Sequence, residues 1–336
     1  MDPESLRGVG RTRLGGADDP DLLDFSANVN PRTPGGVEAE HSGSLSAARR
    51  YPPEPPAEFV EAAASYVGCD PAQVVPTAGG LAAIRLAIEA TVEAGDTVLV
   101  PSPSFAEFAR EVRLQGAKPA LVPEVDVLEA DPAPHALAIV CNPNNPTGRA
   151  YDEEAMREFA ARCRATGTPM LIDEAFLGFT DRPSLAGEPG VIVARSLTKL
   201  YGLPGLRAGF AVATGDDAAA LSTARRTWNV GTPALRVGTY CLRQTEFVRE
   251  TRRRVRRERE RLREAISARF DVVPSEAPFL LIDLGDRDPA AVVADVREHG
   301  IAIRDATTFR GLDRHVRVAV RESAENDRLL EVLADV

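Results

Sequence analysis

Of the 40 basic residues in this 336-residue chain, only Lys118 and Lys199 are lysines; the other 38 are arginines. Lys199 stands in Ser196-Leu197-Thr198-Lys199-Leu200-Tyr201-Gly202-Leu203-Pro204-Gly205-Leu206-Arg207, just after an apolar run. Arginine substitutes for lysine wherever only a positive charge is needed, but its guanidinium stays protonated and cannot attack a carbonyl. A lysine retained against that background, with hydroxyls at minus three and minus one and an arginine at plus eight, points to an amine nucleophile. Lys118, between Gly116-Ala117 and Pro119, reads instead as a solvated turn residue.

Three further features supply what an amine alone lacks. Val74-Val75-Pro76-Thr77-Ala78-Gly79-Gly80-Leu81 reads as a turn with two glycines opening a helix, and free N–H groups at such a terminus hold a phosphate. Arg207 adds a two-pronged clamp for the same anion, and Ser196 and Thr198 add hydroxyls. Asp173 follows Met170-Leu171-Ile172, where a carboxylate could bind a metal, cap a helix or pair with a protonated heteroaromatic nitrogen. No histidine lies near enough in sequence to suggest a metal set, which favours the third role. An aldehyde for Lys199, a phosphate for Gly80, Leu81 and Arg207, and a pyridine nitrogen for Asp173 together specify pyridoxal 5′-phosphate as the expected cofactor.

The surrounding elements must bring these residues to one place. Between residues 96 and 213, short apolar runs alternate with helical patterns: Thr97 to Val100, Ala136 to Val140, Met170 to Ile172, Val191 to Val193 and Gly209 to Val212. This α/β pattern predicts a mostly parallel sheet covered on both faces by helices, with ligands at the carboxyl ends of its strands. After residue 236 the texture changes to an α+β unit. We therefore expect an N-terminal arm over 1–40 belonging to the small domain, a large domain over 41–235 and a small C-terminal domain over 236–336. The stiff Tyr51-Pro52-Pro53-Glu54-Pro55-Pro56 stretch marks a segment boundary.

Composition narrows the partners. A net charge of −10 disfavours a polyanion such as nucleic acid. The arginine-rich run at 252–263 is interleaved with glutamates and has Val255, Leu262 and Ile266 at helical spacing, so it reads as a solvated amphipathic helix. Cys69, Cys141, Cys163 and Cys241 show no paired spacing and read as reduced, mostly core residues. No apolar run has membrane-span length and no secretory leader is evident, so a cytoplasmic protein without membrane or metal partners is expected.

The motifs resemble those of the fold-type I pyridoxal-phosphate aminotransferase superfamily. Within it, the chain is most similar to the threonine-phosphate decarboxylases, with the histidinol-phosphate aminotransferases as a sister group. The resemblance rests on Asp24-Phe25-Ser26-Ala27-Asn28-Val29-Asn30-Pro31, Cys141-Asn142-Pro143-Asn144-Asn145-Pro146-Thr147-Gly148, Asp173-Glu174-Ala175-Phe176 and the Lys199 segment. It implies that Asn145 contacts the pyridine hydroxyl, that Phe105 stacks on the ring, and that Tyr51 reaches the cofactor phosphate of a neighbouring subunit in a homodimer. For substrate, it implies Arg317 on the α-carboxylate, Arg304 near a substrate phosphate, and Asn28 beside them. The implied reaction is decarboxylation of L-threonine O-3-phosphate in cobalamin biosynthesis, with histidinol-phosphate transamination as the alternative. Two departures stand out. Arg7-Gly8-Val9-Gly10 occupies the place of the decarboxylases' His-Gly-Gly, and Ala78, Gly80 and Leu81 replace polar residues at the glycine turn.

Overall fold

The computed structural model describes residues 1–12, 15–17 and 19–335. The chain opens with β1 (Leu23–Asp24), α1 (Val37–Ala47) and α2 (Ala57–Val67), then enters its main sheet with β2 (Val74–Thr77). There follow α3 (Gly80–Thr91), β3 (Thr97–Ser102), α4 (Glu107–Leu114), β4 (Lys118–Pro123), β5 (Leu137–Cys141), α5 (Glu153–Thr166), β6 (Met170–Asp173), β7 (Val191–Ser196) and β8 (Gly209–Val212). Helices α6 (Gly215–Ala224), α7 (Thr232–Leu242) and α8 (Thr245–Ile266) lead to the last third. There β9 (Asp271–Val272), β10 (Phe279–Asp283), α9 (Pro289–Glu298), β11 (Ile301–Ala302), β12 (Arg304–Asp305), β13 (His315–Ala319) and α10 (Ser323–Asp335) complete the chain.

Among the described residues the main sheet has seven strands in the order β2-β8-β7-β6-β5-β3-β4. Its central strands are continuously apolar: all five residues of Leu137-Ala138-Ile139-Val140-Cys141 are buried, as a strand covered on both faces requires. Strands β3 to β7 run parallel, but β8 is antiparallel to both β7 and β2. This corrects the expectation that Gly209 to Val212 joins a parallel run. The connection from Ser196 to Gly209 carries only a short 3-10 turn, Pro204–Leu206, and no helix to make a crossover. That reversed connection is the segment that holds Lys199.

A second, four-stranded antiparallel sheet, β12-β13-β10-β9, pairs Arg304 with Arg317 across β12 and β13. Strand β1 crosses from the N-terminus to pair in parallel with β11, tying residues 23–24 to the C-terminal third. The expected boundaries at 40 and 235 fall inside α1 and α7, which pack on each other, and Val336 lies outside the described residues. Two further expectations are corrected. Lys118 is the exposed first residue of edge strand β4, because Gly116, at φ 77°, has already made the turn. The arginine-rich helix is α8, whose Val248, Val255, Leu262 and Ile266 are buried, but so are Arg254 and Glu258, so its charged residues are not all solvated. All four cysteines are free thiols, and Cys141, Cys163 and Cys241 are buried.

Candidate active site

The loops at the carboxyl ends of β2, β3, β5, β6 and β7 meet over one pocket of about 320 Å³. The register brings them level: Cys141 pairs with Asp173, Asp173 with Ala194, Ser196 with Gly209, and Gly209 with Thr77. Gly80, Leu81, Phe105, Asn145, Asp173, Ser196, Thr198, Lys199 and Arg207 line the pocket from this side. Asn28, Arg304 and Arg317 line it from the side of the second sheet. Tyr51 does not. It is 76% exposed, with its ring stacked on Trp228 at 4.2 Å between centroids.

The glycine turn closes against Arg207. Gly79 adopts φ 92° and ψ 167°, a conformation open essentially only to glycine. A Cβ at Gly79 would lie 2.5 Å from Nη2 of Arg207, so the missing side chain is what admits the guanidinium. Ala82 and Ala83 already donate to the Gly79 carbonyl, whereas the N–H groups of Gly80 and Leu81 precede the helix's own ladder. Arg207, itself at φ 55°, donates to the carbonyls of Pro204 (3.1 Å) and Ala78 (3.4 Å), which hold it over the turn. The Ser196 and Thr198 hydroxyls sit 2.8 Å apart beside it.

Behind the turn, Asp173 is buried, and its Oδ1 accepts from the Ala175 N–H at 3.0 Å. Burial pushes this carboxyl up to about 6, with the Ala175 bond pulling the other way. A cation facing it would restore the ionised form. Lys199 shows the converse: burial, and then the like charges of Arg317 and Arg207, push its amine down to about 8. A tenth or so of the amine is therefore unprotonated near neutral pH, the form that attacks an aldehyde. Neighbouring Glu174 serves structure, forming a buried ion pair with Arg195 at 2.9 Å and accepting from Ser184 at 2.6 Å.

On the opposite wall, Arg317 donates to Asn145 Oδ1 and, at 3.0 Å, to the Ser26 carbonyl. Its guanidinium lies over Phe279 and Phe309, 5.2 and 5.8 Å from the ring centroids. Burial and the charge of Arg304 push it down to about 9, which leaves it cationic at neutral pH. Arg304 donates to Thr308 Oγ1 at 2.9 Å and lies 5.7 Å over the same Phe309 ring. Two guanidinium groups thus share one aromatic plate. Among the described residues, buried Asn28 Oδ1 and Arg317 Nε find no hydrogen-bond partner.

Thr12, Gly15, Ser26, Thr308 and Phe309 also line the pocket and were not singled out in the sequence. The phenylalanine at 176 is buried edge-on against Phe279, 5.1 Å between centroids. Among the described residues no group of three or more His, Cys, Asp and Glu could hold a metal, and no helix is long and apolar enough to cross a membrane.

The open backbone donors at Gly80 and Leu81, the buried carboxylate and the buried lysine fit pyridoxal 5′-phosphate, and the fold is that of the fold-type I enzymes dependent on this cofactor. The chain belongs to the aminotransferase class I and II family, whose model matches residues 20–333. It is 30% identical over 348 residues to the threonine-phosphate decarboxylase of Salmonella typhimurium, covering 94% of this chain and 91% of that one. It is 35% identical over 263 residues to the histidinol-phosphate aminotransferase of Symbiobacterium thermophilum, covering 74% and 72%. The solved histidinol-phosphate aminotransferase of Sinorhizobium meliloti, in complex with pyridoxal 5′-phosphate, superposes with a TM-score of 0.85 at 24% identity, covering 100% of this chain and 95% of that one. Members of the family use pyridoxal 5′-phosphate, and the chain is an enzyme of that family.

Proposed function

We propose that the protein is a pyridoxal-phosphate-dependent decarboxylase acting on L-threonine O-3-phosphate, releasing CO₂ and (R)-1-aminopropan-2-yl phosphate. The observation that carries this reading is the pair Arg304 and Arg317, adjacent across β12 and β13 and both facing the pocket. Threonine phosphate presents two anions, a carboxylate and a phosphate, and each finds a guanidinium. Histidinol phosphate presents only one.

Bound pyridoxal phosphate supplies an electron sink for the pair left when a bond to the substrate Cα breaks. The remaining chemistry belongs to the chain's own residues. The N–H groups of Gly80 and Leu81, with Arg207, Ser196 and Thr198, bind the cofactor phosphate. Asp173, ionised once it faces the pyridine nitrogen, keeps that nitrogen protonated. Asn145 donates to the ring hydroxyl through the Nδ2 end of its amide, since Arg317 occupies the Oδ1 end. Phe105 covers one ring face. Arg317 holds the substrate carboxylate, Arg304 its phosphate, and Asn28 bonds between them. The angle at which these groups hold Cα sets which bond breaks, because only the bond perpendicular to the ring can release its electrons into it. Lys199, in its protonated form, delivers the proton that takes the place of CO₂ on Cα. We also assign Tyr51 to the partner subunit's site in a homodimer.

A second reading, histidinol-phosphate aminotransferase, is favoured by the 35% identity to such an enzyme. Its keto-acid partner, 2-oxoglutarate, carries two carboxylates and would meet the same two arginines in the other half-reaction. Purified enzyme given threonine phosphate alone should release CO₂ and yield aminopropanol phosphate by mass. Transfer of the amino group from histidinol phosphate to 2-oxoglutarate, with no CO₂ from threonine phosphate, would select the second reading.

A further inference from the structure

Lys199 lies in a loop, and loops lack the ladder of bonds that fixes a residue within a strand. Between β7 and β8 the backbone is held internally by Leu197 N–H on the Ala208 carbonyl (3.1 Å) and Leu203 N–H on the Thr198 carbonyl (3.2 Å). Within the loop the Lys199 carbonyl accepts only the long 3.4 Å bond from the Gly202 N–H, and its shorter bond comes from outside. The Asn30 N–H donates to the Lys199 carbonyl at 3.0 Å, and Asn30 Nδ2 donates to the Leu200 carbonyl at 2.7 Å. One side chain and its own backbone thus grip two consecutive peptide groups at the reactive position.

The grip depends on which way the Asn30 amide faces, and the surroundings determine that. Nδ2 also donates to Thr251 Oγ1 at 3.3 Å, while Oδ1 accepts from Arg254 Nη2 at 2.6 Å and from the Arg32 N–H at 3.1 Å. Two donors face Oδ1 and two acceptors face Nδ2, so a flipped amide would oppose donor to donor and acceptor to acceptor. Arg254 is only 6% exposed. Its Nη1 donates to the Arg321 carbonyl at 3.1 Å and lies 3.3 Å from Glu322, while its Nε is buried with no partner among the described residues. A helix with many exposed positions for arginine buries this one at a cost in desolvation, and its shortest contact is Asn30. Gly202, at φ 68°, completes the fit. A Cβ there would lie 2.5 Å from the Arg32 carbonyl oxygen and 2.7 Å from that of Asn30, so its absence lets residues 30–32 lie against the Lys199 loop.

From this geometry we infer that Asn30, with its amide oriented by Arg254, is a positioning residue that sets the height and direction from which the Lys199 amine enters the pocket. It touches neither cofactor nor substrate and acts only through the lysine's backbone. The inference rests on Lys199 being the reacting amine of the proposed function.

The test exploits the scarcity of lysine. Enzyme labelled with lysine carrying ¹³C at Cε gives two resonances, of which Lys118 is the internal reference and Lys199 titrates near 8 in the cofactor-free protein. Two neutral substitutions at 254 separate charge from orientation: Arg254→Gln keeps a donor for Asn30 Oδ1, and Arg254→Met does not. Arg254→Met and Asn30→Ala should each raise the Lys199 midpoint by about one unit, as the amine leaves its buried, cation-flanked position. They should also cut kcat at least about tenfold with KM within about twofold. Arg254→Gln should lie close to wild type in both. A merely structural role would lower the unfolding temperature while leaving the Lys199 midpoint and kcat per folded site unmoved. That result, or equal behaviour of Arg254→Gln and Arg254→Met, overturns the inference. The titration uses neither cofactor nor substrate, so an enzyme that shows the expected shift but handles neither phosphorylated substrate faults the functional reading alone.

Discussion

Lys199 and Asp173 line the same pocket with opposite charges, and burial works against the ionised form of each. For the lysine this has a consequence for stability. Its folded value of about 8 lies below the ordinary 10.5, so between those pH values the unfolded chain binds more protons than the folded one. The cofactor-free enzyme therefore gains stability from this group as pH rises from about 8 to 10.5, by about 3 kcal/mol at most. Lys199→Met, similar in volume and never charged, removes the effect. Cofactor-free Lys199→Met should be more stable than wild type at pH 7 and lose that advantage by pH 10.5. Urea unfolding of the two proteins at both pH values reads the difference, and a gap independent of pH would contradict the buried, depressed amine. Asp173 acts in a separate, lower window. Its raised value makes folding less favourable as pH climbs from 3.8 to about 6, below the range of this comparison.

The smallest unit to which we assign a role of its own is β2, the glycine turn and α3. Gly79→Ala would force a side chain into a glycine-only conformation and against Arg207, costing about 1–3 kcal/mol in the cofactor-free enzyme. If the turn serves the phosphate, the same change should weaken binding of pyridoxal phosphate at least about tenfold, one strong anion contact's worth, while leaving that of pyridoxal, which has no phosphate, within about twofold. Equilibrium dialysis with both compounds measures it, and equal losses for the two would remove the turn from the phosphate site. The glycine turn and the helix start were legible in the sequence, and so were Asp173, Asn145 and Lys199, because these three come after apolar runs and the ends of neighbouring strands must converge. The reversed direction of β8 also left a trace: no helical pattern separates Ser196 from Gly209, so no crossover could form. Phe309, Thr308 and Ser26 were not legible. They sit in a loop or at the end of a short 3-10 turn, and contacts such as that from Arg317 to the Ser26 carbonyl join residues 291 positions apart, a pairing no local period encodes. Arg254 was hidden differently, as one arginine in a run of them, although it adjoins Val255 on the buried face of α8.

At the scale of the molecule, the exposed aromatic pair is the feature a single chain leaves unexplained. Tyr51 and Trp228 stack on the surface, held from beneath by the ion pair of Glu54 with Arg225 and by the Trp228 N–H donating to Glu54 Oε2 at 3.2 Å. Trp228 sits at φ 55° and is 48% exposed, so the loop is shaped to present its ring rather than to bury it. An exposed, pre-shaped aromatic ledge suits a surface that meets another copy of the chain, in keeping with the assignment of Tyr51 to the partner's cofactor phosphate. If each site takes its lysine from one subunit and its tyrosine from the other, two inactive variants should rescue one another. Lys199→Ala and Tyr51→Ala homodimers would each lack a needed group at every site. Unfolded together and refolded at equal amounts, half of the dimers would be mixed, and each mixed dimer would hold one site with both groups intact and one with neither. Activity should return to about one quarter of wild type by this statistical mixing of two-fold symmetric dimers. Activity no greater than the sum of the separately refolded variants would place Tyr51 outside the partner's site.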